Sequence, residues 1–177
     1  MLKDFLLQLP EADAMTTKTD RVPQNPAELT RFIEAHYHAK HRADLPFLVE
    51  LAAKVEAVHN DQPDVPAGLA ELLREMVGDL EVHMKKEELI LFPAIRRSAE
   101  ELDVPITAMR EDHDDHAEQI EKIKNVTANL TLPEDACRSW TRLYTDLSAF
   151  ICDLEDHIRI ENDVLFPQFE KRVVLDV

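Results

Sequence analysis

Two histidine–glutamate pairs carry the chemistry of this chain: His83-x3-Glu87 in HMKKEELILFP and His157-x3-Glu161 in HIRIENDVLFP. Residues four apart on a helix stack on one face, about 6 Å apart along the axis. An imidazole and a carboxylate placed this way can bind one metal ion while the carboxylate bridges to a second. Leu-Phe-Pro follows each Glu at the same offset, as Leu91-Phe92-Pro93 and Leu165-Phe166-Pro167. A single His-Glu pair reads most simply as a solvated helix surface. Two in one apolar frame point to a shared centre.

Further histidines precede each pair. HAKH occupies 38–41 and HDDH occupies 113–116. His38 lies 45 residues before His83, and His113 lies 44 before His157, the spacing of a duplicated helix pair. Spacing alone leaves either His38 or His41, and either His113 or His116, as the inward member. Taking the first of each gives His38, His83, Glu87, His113, His157 and Glu161. Imidazole and carboxylate donors in this ratio suit iron, and manganese less well. Two irons sharing both Glu as bridges would keep positions open for a small ligand. A Glu on a core-facing stripe is costly to bury unless paired or metal-bound. In EDHDD at 111–115, Asp112 or Asp115 could orient a ligand His through its other ring nitrogen, or the run could be a solvated turn. Glu56-x2-His59 resembles a ferritin-type ligand pair, but that motif is needed twice and occurs once. His59 follows His38 by 21 residues, roughly 31 Å on one helix, so it is expected outside the centre, at a helix C-terminus.

These residues need helices to position them, and the sequence supplies four. Asn25-Pro26 reads as an N-cap and first-turn proline of a helix to about Asn60, with an irregularity at Pro46. DQPDVP at 61–66 breaks the chain. A second helix from near Pro66 carries Leu69, Leu72, Leu73, Met76, Leu80, His83, Glu87 and Ile90 on one stripe, bent or ended at Pro93. A third, from near Pro105, carries Ile106, Met109, His113, His116, Ile120 and Ile123. A fourth, from Pro133-Glu134, carries Trp140, Leu143, Leu147, Phe150, Leu154, His157 and Glu161 to Pro167. The fold class is all-α, an up-down-up-down four-helix bundle over 26–174. Residues 1–25 form an extension in which MLKDFLLQ is a short amphipathic helix followed by a polar linker.

Composition agrees. The chain has 177 residues, room for one domain with a sizeable core, and only 2 glycines. A formal net charge of -16 argues against nucleic-acid or anionic-membrane partners and suits a cationic one, either a metal ion or a basic protein patch, or else simply a solvated surface. Cys137 and Cys152, 15 apart on one predicted helix, are too distant to pair, which suits a reducing compartment. No apolar run is long enough to span a membrane, and MLKDFLLQLP makes a poor signal peptide, so the expected location is cytoplasmic.

The chain resembles the hemerythrin-like di-iron family called repair of iron centres. The resemblance covers about residues 27–170 and rests on HYHAKHR with LP at 45–46, KVEAVH with DQPDVPAGL, HMKKEELILFP, PITAMREDHDDH, PEDAC and DHIRIENDVLFP. It implies an oxo- or carboxylate-bridged pair of non-haem irons, with His38, His83, His113 and His157 as histidine ligands and Glu87 and Glu161 as bridges. It also implies recovery of damaged iron–sulfur proteins after nitrosative or oxidative stress, by iron donation or nitric oxide binding. Members of the family usually begin with a small domain carrying adjacent cysteines, whereas this sequence has about 25 residues there without one. Cys137, inside PEDAC, is expected to fill core space. Competing readings are an oxygen-binding or gas-sensing hemerythrin, a nitric oxide reductase, and a metal-free helical scaffold. Oxygen-carrying hemerythrins use five histidines and a His-x4-Asp, which this sequence lacks.

Overall fold

Asn25 opens the first helix as the sequence suggests: its side chain accepts the Glu28 N–H at 3.2 Å, and Pro26 sits in the first turn. The computed structural model describes residues 22–170. The expected helix at MLKDFLLQ and the last residues of the expected bundle lie outside that range. Four helical rods follow. The first comprises α1 (Pro26–Ile33), a π-helical turn (Glu34–His38) and α2 (Ala39–Val58). The second is α3 (Leu69–Lys86), a π turn (Glu87–Leu91) and α4 (Phe92–Arg96). The third is α5 (Asp103–Val126), and the fourth is α6 (Arg138–Ile160), a π turn (Glu161–Leu165) and a 3-10 turn (Phe166–Gln168). Among the described residues there is no strand.

Several boundaries differ from the expected ones. α3 starts at Leu69 behind Gly68, whose φ of 88° is open to glycine at little cost. α6 starts at Arg138, because residues 133–136 close a turn with Ala136 N–H bonding Pro133 C=O at 3.1 Å. Pro46 lies within α2, and the irregular turn of that rod is the π segment upstream.

Pro93 does not end its rod. A proline has no N–H for the carbonyl four residues back, and its ring collides with that carbonyl. The turn before it is widened, so that Phe92 N–H bonds Glu87 C=O, five residues back. Phe166 N–H bonds Glu161 C=O in the same way before Pro167. Each π turn inserts a residue into the helical register. The stripe expected to pass through Ile90 therefore passes through Leu91. Ile90 is 61% exposed and Leu91 2%.

α2 packs on α3 and α6, α3 on α5, and α1 on α4. The core consists of two apolar clusters. One holds Leu48, Leu80, Ile120, Trp140 and Leu154. The other holds Ile33, Phe92, Met109 and Phe166. The first and third rods run from the second cluster to the first, and the second and fourth run back, which is the up-down-up-down order. On every rod the buried histidines and glutamates fall between the two clusters, except His59 at the far end of α2. The bundle thus carries a polar layer sandwiched between apolar ends.

The shifted register makes a paired prediction. Leu91→Ala should cost about 2–5 kcal/mol in urea unfolding, and Ile90→Ala should stay within about 0.5 kcal/mol. The reverse ranking would refute the register.

Candidate metal centre

Each rod brings imidazole or carboxylate to the polar layer from a defined place. His38 closes the first π turn. Glu87 and Glu161 open the other two, one helical turn beyond His83 and His157. His113 stands midway along α5. All six side chains are buried, with Glu87, Glu161, His38 and His157 at 0% exposure.

The contacts alternate across the layer. Glu87 Oε2 lies 3.2 Å from His38 Nε2, and Glu87 Oε1 3.5 Å from His83 Nε2. Glu161 Oε2 lies 3.1 Å from His113 Nε2, and Glu161 Oε1 3.3 Å from His157 Nε2. Two groups result, each with its ligand atoms within 4.8 Å of one another: His38, Glu87, His157 and Glu161, and His83, Glu87, His113 and Glu161. Both carboxylates belong to both groups. Each group also takes one histidine from each half of the duplicated sequence, a pairing that spacing does not reveal.

The donor atoms aim at space that protein atoms do not fill. Nε2 of His38, His113 and His157, with all four oxygens of Glu87 and Glu161, are buried without a hydrogen-bond partner. The separations of 3.1–3.5 Å are within ion-pair reach but lack hydrogen-bond geometry, so we read these atoms as facing a common gap. Buried polar atoms are almost always satisfied, and seven orphans in one layer fit a cationic occupant. The electrostatics agree. Burial and the facing Glu161 push Glu87 well above the usual carboxylate range. Burial also opposes charge on Glu161, but His157 and His113 outweigh it and hold that carboxyl well below the range. Two carboxylates this close in dry surroundings keep both charges only with a cation between them.

The outer ring nitrogens fix which nitrogen faces inward. His38 Nδ1 lies 2.8 Å from Glu88 Oε1, and Arg42 grips the same carboxylate at 2.7 Å. His83 Nδ1 lies 3.3 Å from Asp112, which Lys86 also holds at 2.7 Å. Asp112 is driven far below its usual range by His83 and Lys86. An ionised carboxylate only accepts, so each Nδ1 must donate, and each Nε2 lone pair is left for a metal. Asn162 Oδ1 serves His113 in the same manner at 3.0 Å, its oxygen set by Arg110 at 3.2 Å. His157 Nδ1 has no such partner, and its ring stacks on Tyr37 at 5.2 Å.

Of the two aspartates the sequence offered for this role, Asp112 takes it and Asp115 is exposed. Glu88 and Asn162 were missed, although a signal existed: each follows the Glu of a His-x3-Glu pair at the same repeat position. The repeated Leu-Phe-Pro also gains a reason. Phe92 stacks on His38 and Phe166 on His113, both at 5.8 Å between ring centres. His41 and His116 are buried beside the layer but in neither group. His41 packs against His157 and Phe150, and His116 stands edge-on to His83. His36 is exposed. His59 caps α2, as expected.

The layer has a pH signature. Burial lowers His38 and His83 from 6.5 to about 4. An unfolded chain takes up these protons near pH 6.5, the folded chain only near pH 4, so the folded state loses stability as pH falls through that window. Chelator-stripped protein should therefore show a lower urea midpoint at about pH 5 than at about pH 7, with His38→Phe reducing the drop. An unchanged midpoint in the unsubstituted chain would contradict neutral buried imidazoles.

Comparison with known proteins gives a consistent picture. The family model described as Hemerythrin HHE cation binding domain matches residues 6–169. A protein named iron-sulfur cluster repair protein YtfE from Yersinia pseudotuberculosis serotype O:1b (strain IP 31758) is 46% identical over 141 residues. The like-named protein of Yersinia pestis (strain Pestoides F) is 45% identical over 141 residues. Both alignments cover 79% of this chain and 64% of the relative, so the chain spans less than two-thirds of the length of these curated relatives.

Proposed function

Because the chain belongs to the hemerythrin HHE cation-binding domain family, we propose that it holds two non-haem iron ions and serves the repair or protection of iron–sulfur clusters under nitrosative or oxidative stress. The relatives named for iron–sulfur cluster repair support the process, and the seven orphaned donor atoms support the centre. In this reading His38 and His157 would hold one iron and His83 and His113 the other, with Glu87 and Glu161 available to both.

When bound, ferrous iron offers positions for nitric oxide or dioxygen and is the cargo a damaged cluster needs. The protein's part is to hold that metal without trapping it. Imidazole and carboxylate donors bind Fe(II) less tightly than thiolates do. Glu88 and Asp112 lock the inward tautomer and strengthen their histidines as donors. The apolar clusters above and below keep bulk water from the carboxylates. A cavity of about 420 Å³ lined by Asp79, Lys86, Asp112, His116 and Gln119 opens beside the layer and reaches the aspartate that holds His83. The recipient is a damaged iron–sulfur protein, and the setting is the cytoplasm. No helix among the described residues is long and apolar enough to cross a membrane.

Anaerobic reconstitution followed by elemental analysis should give about two irons per chain, falling below about one in His83→Ala or Glu161→Ala. The loaded protein should then restore activity to a cluster enzyme inactivated by nitric oxide. Zinc alone, or loaded iron that neither moves to the enzyme nor changes its spectrum with nitric oxide, would contradict the proposal.

A further inference from the structure

The turn between α5 and α6 brings a thiol and an imidazole together, away from the metal layer. Cys137 is the N-cap residue of α6. His59 is the C-cap residue of α2, and its Nε2 lies 3.1 Å from Cys137 Sγ. The imidazole is held in place: it is 8% exposed and packs on the fully buried Trp140 at 5.0 Å between ring centres. His59 stands 21 residues beyond His38, roughly 31 Å along the helix. Neither residue belongs to the two metal-capable groups.

This is not the environment of a cysteine that merely fills space. A core thiol sits among apolar groups, which disfavour its charge. Cys137 is only half-buried and free. The His59 imidazole faces its sulfur and is the main influence holding the thiol below its ordinary range. The site does not rest on the helix end alone, because the imidazole comes from a different rod, 78 residues earlier in the chain. A thiol beside a base and within reach of solvent is the arrangement of a nucleophile.

We propose that Cys137, activated by His59, is a reactive thiol that exchanges with low-molecular-weight disulfides to form a reversible mixed disulfide. His59 accepts the Cys137 proton. The sulfur then attacks one sulfur of the reagent, forming a new S–S bond as the old one breaks. The departing thiolate takes the proton back from His59, so one thiol and one disulfide yield one thiol and one mixed disulfide. Excess reduced thiol reverses the exchange. This site is independent of the iron reading and stands or falls separately from it.

Cys152, exposed in mid-helix α6, is the internal control. The full-length protein is incubated at neutral pH with oxidised glutathione, and adducts on each cysteine are followed by peptide mass spectrometry. Cys137 should react at least about tenfold faster than Cys152, and His59→Gln should bring Cys137 down to the Cys152 rate without altering Cys152. Circular dichroism establishes that the variant is folded. Should it unfold, the ratio of the two rates in the unsubstituted protein decides alone. Cys137 reacting no faster than Cys152, or keeping its rate in a folded His59→Gln protein, would overturn the proposal.

Discussion

Two buried carboxylates facing four imidazoles in a dry layer are the constraint around which the bundle is organised. Glu87 and Glu161 are fully inaccessible, with apolar clusters on both sides. An uncompensated carboxylate in such a place costs several kcal/mol. The neighbouring imidazoles offset this only in part, because burial keeps His38 and His83 neutral. A cation between the carboxylates resolves the conflict.

The backbone meets this demand by departing from the regular α-helix where the donors sit. Glu87 and Glu161 each start a π turn, and His38 ends one. In the second and fourth rods the turn lets the chain reach a proline without losing the rod, and it swings Leu91-Phe92 and Leu165-Phe166 onto the same face as the donors. The two halves then support each other: Phe92 backs His38, Phe166 backs His113, and the residue after each buried Glu orients the histidine of the preceding rod. The symmetry is incomplete. Asp112 hydrogen-bonds His83 at the position whose repeat counterpart, Tyr37, stacks on His157.

Much of this was legible in the sequence, and the limits have physical causes. Helical periodicity placed His113, His116, His157 and Glu161 on buried faces, because α5 is regular through its two histidines and α6 is regular up to the π turn that Glu161 opens. The same reasoning failed at Ile90, since a π turn breaks the 3.6-residue repeat without leaving a mark in hydropathy. It gave no choice between His38 and His41, because residues one turn apart share a face. The side chains that hold the outer ring nitrogens come from other rods, and their distances exist only in the fold. His59 and Cys137, 78 residues apart, were read separately, and Cys137, which does pack against the core as expected, also caps α6 beside an imidazole.

The central claim is that one layer encloses a pair of ions bridged by two carboxylates. Anomalous diffraction at the iron edge from crystals grown with ferrous iron tests it most directly. The account predicts two adjacent peaks, one beside His38 and His157 and one beside His83 and His113, with Glu87 and Glu161 touching both. A single peak, or peaks ligated by His41 or His116 instead, would contradict it.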